Sequence, residues 1–150
     1  VEAPEIQQCP SFGGAANWLE DPYTGYNYNT SYLGHNERPR PPGSPPITVQ
    51  TSDVAAPAQT AVFGDGEYSG GANKFMRAPW RDAPWDTFVG RSAGTQGYRH
   101  LQRTNVCWAD GHAVAWADLH QNTHPDEKAR IPDDGPYGYL SPDNSLYDLE

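Results

Sequence analysis

The sequence predicts one domain, residues 1–150, built mainly on a small antiparallel β-sheet with long loops and little helix. Three observations carry this expectation. Asp110-Gly111 separates two apolar runs, 105–109 and 112–116, which is a strong short-range hairpin signal. Residues 26–32 alternate aromatic and polar side chains with period two, as a half-buried strand does. Gly and Pro number 15 each in 150 residues, and no stretch of about twelve residues keeps a helical period with good propensity.

Taken in order, residues 1–25 read as irregular, with Cys9-Pro10-Ser11, the pair Gly13-Gly14 and a turn at Asp21-Pro22-Tyr23-Thr24-Gly25. Residues 26–32 form the first strand. A Pro- and Gly-rich break follows over 34–46, and 47–50 is a short strand candidate. Residues 53–59 have room for one helical turn before Pro57 intervenes. The run 60–64 is the next apolar strand, ending at Asp65-Gly66. Residues 67–97 show no periodicity, and a connection this long inside a domain is usually functional or docks on a partner. After the hairpin, 117–150 return to turns. About four strands result, with no repeat and no second domain.

A two-residue turn at Asp110-Gly111 would set Cys107 opposite Val114 and Asn105 opposite Trp116. One face would then carry Cys107, Val114 and Trp116, and the other Val106, Trp108, Ala113 and Ala115. Both faces are apolar and need cover. With no helix of its own to roof the sheet, the chain is expected to take that layer from outside or from a long loop such as 67–97.

Ten basic against nineteen acidic side chains give a formal charge of −9. A nucleic-acid binder neutralises phosphates with Lys and Arg, and anionic membranes ask for the same charge, so both are excluded as expected partners. No apolar run approaches the roughly 18 residues that span a bilayer, and the N-terminus has no signal-peptide pattern. The two cysteines, Cys9 and Cys107, belong to no zinc spacing. A bridge between them would close a loop of about 100 residues and stabilise the fold by about 4 to 5 kcal/mol. The alternative is two separate buried thiols.

His100 is followed by nine residues and then Asp110-Gly111-His112. This pattern resembles the C-terminal His-x9-Asp-Gly signature of a bacterial group of type IV pilin-like proteins and pseudopilins. Cys9-Pro10-Ser11 is similar to the Cys-Pro-Ser that follows the helical stem in that group. Residues 26–29 are similar to its Tyr-rich strand, and 57–65 to its Pro-x-x-Thr-apolar-apolar-x-x-Asp segment. The landmarks run in the family's order over 9–117.

The resemblance implies an α+β pilin-like head whose covering helix is supplied by another chain or lies outside this sequence. It implies a structural subunit without enzymatic activity, at the cell surface, extracellular, or periplasmic in a pseudopilus. Its partners would be a helix-bearing pilin subunit and copies of itself in a filament. Calcium in the C-terminal loops of some pseudopilins makes Asp133, Asp134 and Asp143 candidate ligands, since Ca²⁺ takes hard oxygen donors.

His100, Asp110, Gly111 and His112 form the structural motif. In one reading the Asp110 carboxylate anchors the turn while His100 ties the preceding loop to it. In the other, His100 or His112 joins Asp65 and Asp110 around a divalent ion. Nucleophilic catalysis has no supporting motif. Trp80, Trp85 and Phe88 in the long loop, with Val106 and Trp108 on the hairpin, have the composition of interface anchors. Asn29-Thr30-Ser31 matches a glycosylation sequon. Two further functions are open: a secreted carbohydrate-binding module in which exposed aromatic rings stack on sugars, and a metal-dependent hydrolase around Asp65, His100, Asp110 and His112.

Overall fold

The computed structural model describes residues 9–13, 25–34, 49–68, 71–80, 94–122 and 135–150. Nine short strands run through them: β1 (Tyr26–Asn29), β2 (Ala61–Asp65), β3 (Glu67–Tyr68), β4 (Gly71–Ala72), β5 (Phe75–Met76), β6 (Gln96–Gly97), β7 (Thr104–Trp108), β8 (Ala113–Trp116) and β9 (Tyr137–Gly138). Among the described residues helical backbone is confined to the 3₁₀ turn Thr51–Asp53 and to Gly94. The fold is therefore mainly β, as the Gly and Pro content dictates. The main sheet has five strands in the order β5-β1-β2-β7-β8. All its pairings are antiparallel except β1 with β5. Two small ribbons, β3-β4 and β6-β9, flank it. Val49 and Gln50 precede the 3₁₀ turn and are not strand; Asp53 ends that turn, and 54–59 are turns and irregular backbone rather than helix.

The hairpin forms with a different turn. The Gly111 amide donates to the Trp108 carbonyl and the Trp108 amide to the His112 carbonyl, each at 2.9 Å. Gly111 alone in the loop has positive φ, +92°. This is a three-residue loop, a type I turn followed by a left-handed glycine. The extra residue shifts the register by one, so Cys107 faces Ala113, Val106 faces Val114 and Thr104 faces Trp116. A one-residue shift regroups every side chain. Val106, Trp108, Val114 and Trp116 now share one face, and Asn105, Cys107, Ala113 and Ala115 the other.

The chain roofs the first face itself. Tyr139, Leu140 and Tyr147 are fully buried against Val106, Trp108, Ala61 and Met76, with Leu146 and Leu149 packed alongside. Backbone bonds fix this C-terminal layer: the Ala61 amide donates to the Leu146 carbonyl at 2.9 Å and the Ala55 amide to Leu149 at 2.8 Å. The Trp116 indole donates to the Leu140 carbonyl at 3.2 Å. Residues 135–150 are thus a structural layer rather than a run of solvated turns. Val106 and Trp108, at 1% and 3% exposure, are core residues and not assembly contacts.

Strand β1 is inverted relative to hydropathy. Asn27 and Asn29 point into the core, and Tyr26 and Tyr28 point out. The inward amides are bonded: Asn29 Nδ2 donates to the Ala61 and Tyr147 carbonyls at 2.9 and 2.7 Å, and its Oδ1 accepts from the Tyr32 amide at 3.2 Å. Being fully buried, Asn29 cannot serve as a glycosylation acceptor in the folded chain.

Candidate functional site

Among the described residues, the second face of the main sheet is the less covered one. Tyr26 pairs with Asp65 across β1 and β2, Tyr28 with Phe63, and Phe63 with Cys107 across β2 and β7. These side chains therefore project to one side. Phe63 is 50% exposed and Tyr26 40%, and Ala113 and Ala115 are exposed beside the half-buried Cys107. The Tyr28 and Phe63 rings meet at 5.2 Å, tilted by 46°.

At one end of that face a polar cluster closes over Asp65. Its side chain is fully buried, and a buried carboxylate is tolerated only when charged or hydrogen-bonding partners surround it. Arg99 Nη2 lies 3.2 Å from Oδ1. The Asn105 backbone amide and Nδ2 donate to Oδ2 at 2.7 and 3.1 Å, and His100 Nε2 lies 3.3 Å from the same oxygen.

Arg99 joins the rest. Its Nη1 meets Glu67 Oε2 at 3.2 Å, Nη2 also donates to the Gly25 carbonyl, and Nε points at Cys9 Sγ at 3.4 Å. Its guanidinium sits 5.2 Å above the Phe12 ring. Cys9 Sγ is also 3.5 Å from His100 Nε2. Gly25, at φ +106°, makes this approach possible, because a Cβ there would stand 2.7 Å from the Cys9 Cβ. Burial first, then the neighbouring Cys9 and Asp65, push the Tyr26 phenol above its ordinary range.

Three landmarks separated by dozens of residues thus meet: Cys9, Asp65 and His100. Their ligand atoms all lie within 4.8 Å of one another. The structure separates them from the other half of the motif. Asp110 instead accepts from the His112 amide at 3.1 Å and pairs with His112 Nδ1 at 2.5 Å, on the exposed turn. A four-residue ion site of Asp65, His100, Asp110 and His112 is therefore not assembled, and His100 does not tie its loop to Asp110. Sequence reasoning missed Arg99, Asn105 and Glu67; the adjacency of Arg99 to His100 was the one available signal.

Chemically, the cluster does not form a nucleophile relay. In such a relay the imidazole meets the nucleophile through one ring nitrogen and the carboxylate through the other, whereas here Nε2 faces both.

The cysteines are both thiols and are not bridged. Cys9 is held in the polar cluster, while Cys107 lies mid-strand between Phe63 and Ala113, with Sγ 3.8 Å from the Trp108 carbonyl. Asp143 Oδ1 accepts from the Ser145 amide at 3.0 Å and the Ser145 hydroxyl at 2.5 Å, so it closes a local turn. Asp133 and Asp134 lie outside the described residues, as do Trp85 and Phe88. Trp80 is 44% exposed, with its indole donating to the Pro142 carbonyl at 3.0 Å.

Comparisons with protein-family models, curated proteins and solved structures give no match.

Proposed function

We propose that this chain is the globular head of a filament subunit, of the kind that builds type IV pilus-like fibres or secretion pseudopili. It assembles with a helix-bearing partner and with copies of itself, at the cell surface or in the periplasm. The observation that carries the reading is the open aromatic face of β1, β2 and β7. The C-terminal layer covers only one side of the sheet, and Tyr26, Tyr28 and Phe63 stand on the other. Burying a large apolar side chain contributes about 1.5 to 3 kcal/mol, so an apolar helix laid over these rings has a substantial driving force. The order of the pilin-like landmarks in the sequence supports the same reading, and three of them lie at the rim of this face.

Under this reading the chain catalyses no reaction. Its charge of −9 keeps isolated heads apart and soluble, and Trp80 and Leu101, the latter 95% exposed, offer contacts between neighbouring heads. Immunogold labelling of source cells tests the proposal. Labelled fibres are the expected result, and label confined to dispersed protein contradicts it.

The open aromatic face also bears on the carbohydrate-binding alternative, because exposed Tyr and Phe rings stack on sugars. The 46° tilt between Tyr28 and Phe63 works against a flat platform. Glycan-array binding that is lost in Phe63→Ala would favour the binding module over the filament head.

A further inference from the structure

We infer that Cys9, Asp65 and His100 form a binding site for a borderline-soft divalent cation of the Zn²⁺ class. The inference is independent of the filament reading.

The distances carry it. Zinc bonds of about 2.3 Å to sulfur and about 2.0 to 2.1 Å to nitrogen and oxygen, at tetrahedral angles, put sulfur and nitrogen about 3.6 Å apart and nitrogen and oxygen about 3.4 Å apart. Cys9 Sγ and His100 Nε2 are 3.5 Å apart, and His100 Nε2 and Asp65 Oδ2 are 3.3 Å apart. These match two edges of a zinc tetrahedron, and the three ligand atoms all lie within 4.8 Å of one another. As hydrogen bonds they compete, since one Nε2–H would have to serve a sulfur and an oxygen at once, and the 3.3 Å to Asp65 Oδ2 exceeds the usual N–H···O separation of about 2.9 to 3.0 Å.

Charge agrees. Among the described residues, Asp65 and Glu67 against Arg99 leave one negative charge in excess when the thiol and imidazole are neutral. A divalent ion that displaces the Cys9 proton to solvent adds two positive charges and one negative, which brings the cluster to neutrality. Arg99 is therefore compatible with the ion.

The surroundings have the form of an outer shell. Ligating carboxylates are themselves held by hydrogen bonds, and Asn105 and Arg99 hold Asp65. One sulfur, one nitrogen and one oxygen donor select zinc-like ions over calcium or magnesium. Three protein ligands leave a fourth position, and the His100 side chain, 27% exposed, gives it access to solvent. The bound ion would clamp three segments distant in sequence.

The test is titration of the metal-stripped full chain with Co²⁺ as a spectroscopic probe, followed by displacement with Zn²⁺. One equivalent should bind with a sulfur-to-cobalt charge-transfer band. The band should persist in Cys107→Ser and vanish in Cys9→Ser. Asn105→Ala should keep the band and weaken affinity about tenfold to a hundredfold. Should Cys9→Ser fail to fold, zinc-edge X-ray absorption on the wild-type chain decides, and a single sulfur ligand is required. A folded wild-type chain that gives no sulfur band, a band that survives Cys9→Ser, or a sulfur count other than one overturns the site.

Discussion

Asn105 grips the Asp65 carboxylate twice through one oxygen: its backbone amide and its side-chain amide donate to Oδ2 at 2.7 and 3.1 Å. With Arg99 on Oδ1, this fastens the end of β2 to the start of β7 and to the turn before it. Removing the carboxylate leaves the Arg99 guanidinium, 10% exposed, with Glu67 as its remaining counter-charge and leaves both Asn105 donors without their acceptor. Asp65→Ala should therefore cost about 3 to 5 kcal/mol, the range for breaking one side of a buried ion pair. Urea unfolding of the metal-free chain measures it, and a loss below about 1 kcal/mol would contradict the buried network.

The turn that carries His100 stores strain. His100 and Arg103 exchange two backbone bonds of 3.1 Å, closing a two-residue turn at Leu101 and Gln102, whose φ values are +54° and +61°. Left-handed backbone costs a residue with a Cβ roughly 1 to 2 kcal/mol. Replacing the pair by Asn-Gly, the residues this turn prefers, should raise stability by about 1 kcal/mol. Calorimetry should show a higher Tm, and an unchanged or lower Tm contradicts the assigned turn.

Gly111 poses the opposite case. A Cβ there would meet nothing within 4 Å, so the φ of +92° is its whole constraint. Gly111→Ala should lose about 1 kcal/mol, and Gly111→Asn less. A neutral Gly111→Ala would mean that the loop relaxes to another turn.

The two faces of the sheet should respond differently to truncation. Trp108→Ala removes a core ring and should cost about 3 to 5 kcal/mol. Phe63→Ser, on the open face, should cost about 1 kcal/mol or less while removing assembly. Chemical denaturation paired with electron microscopy of assembled material separates the effects. Equal destabilisation by both would mean that the Phe63 face is already structurally engaged.

In alkali, burial holds the Tyr147 and Tyr98 phenols well above the ordinary phenol value of 10.0. Tyr98 donates to the Asp118 and Tyr139 carbonyls at 2.6 and 3.0 Å, and Tyr147 accepts from the Leu140 amide at 2.8 Å. Because the folded pKa values are raised, the stability tied to these groups is fully present below pH 10 and is lost as pH rises above it. Spectrophotometric titration should show them ionising only as the chain unfolds, with exposed tyrosines titrating first. Independent, reversible ionisation of all nine Tyr near their ordinary pKa contradicts this burial.

Local chemistry made much of the sheet legible. The apolar run into Asp65 gave β2, and Asp110-Gly111 gave the β7-β8 hairpin. The turn length escaped because Asp-Gly suits both a two-residue loop and the last two positions of a type I loop with a left-handed glycine, and that ambiguity alone shifted the register. The C-terminal layer escaped because Tyr139, Leu140 and Tyr147 follow no helical or strand period; long-range bonds to Ala61 and Asn29 position them. The inward Asn27 and Asn29 are invisible to hydropathy, since tertiary carbonyls rather than apolar surface reward their burial. Of the site, Cys9, Asp65 and His100 were each singled out, yet their meeting depends on Gly25 and Arg99, whose roles exist only in three dimensions.

Cryo-electron microscopy of fibres isolated from source material and containing this chain tests the central claim most directly. The account predicts density for an apolar helix from a separate polypeptide, or from chain outside this sequence, seated over Tyr26, Tyr28 and Phe63. A fibre map in which those rings face solvent, or in which the helix packs elsewhere on the head, would contradict it.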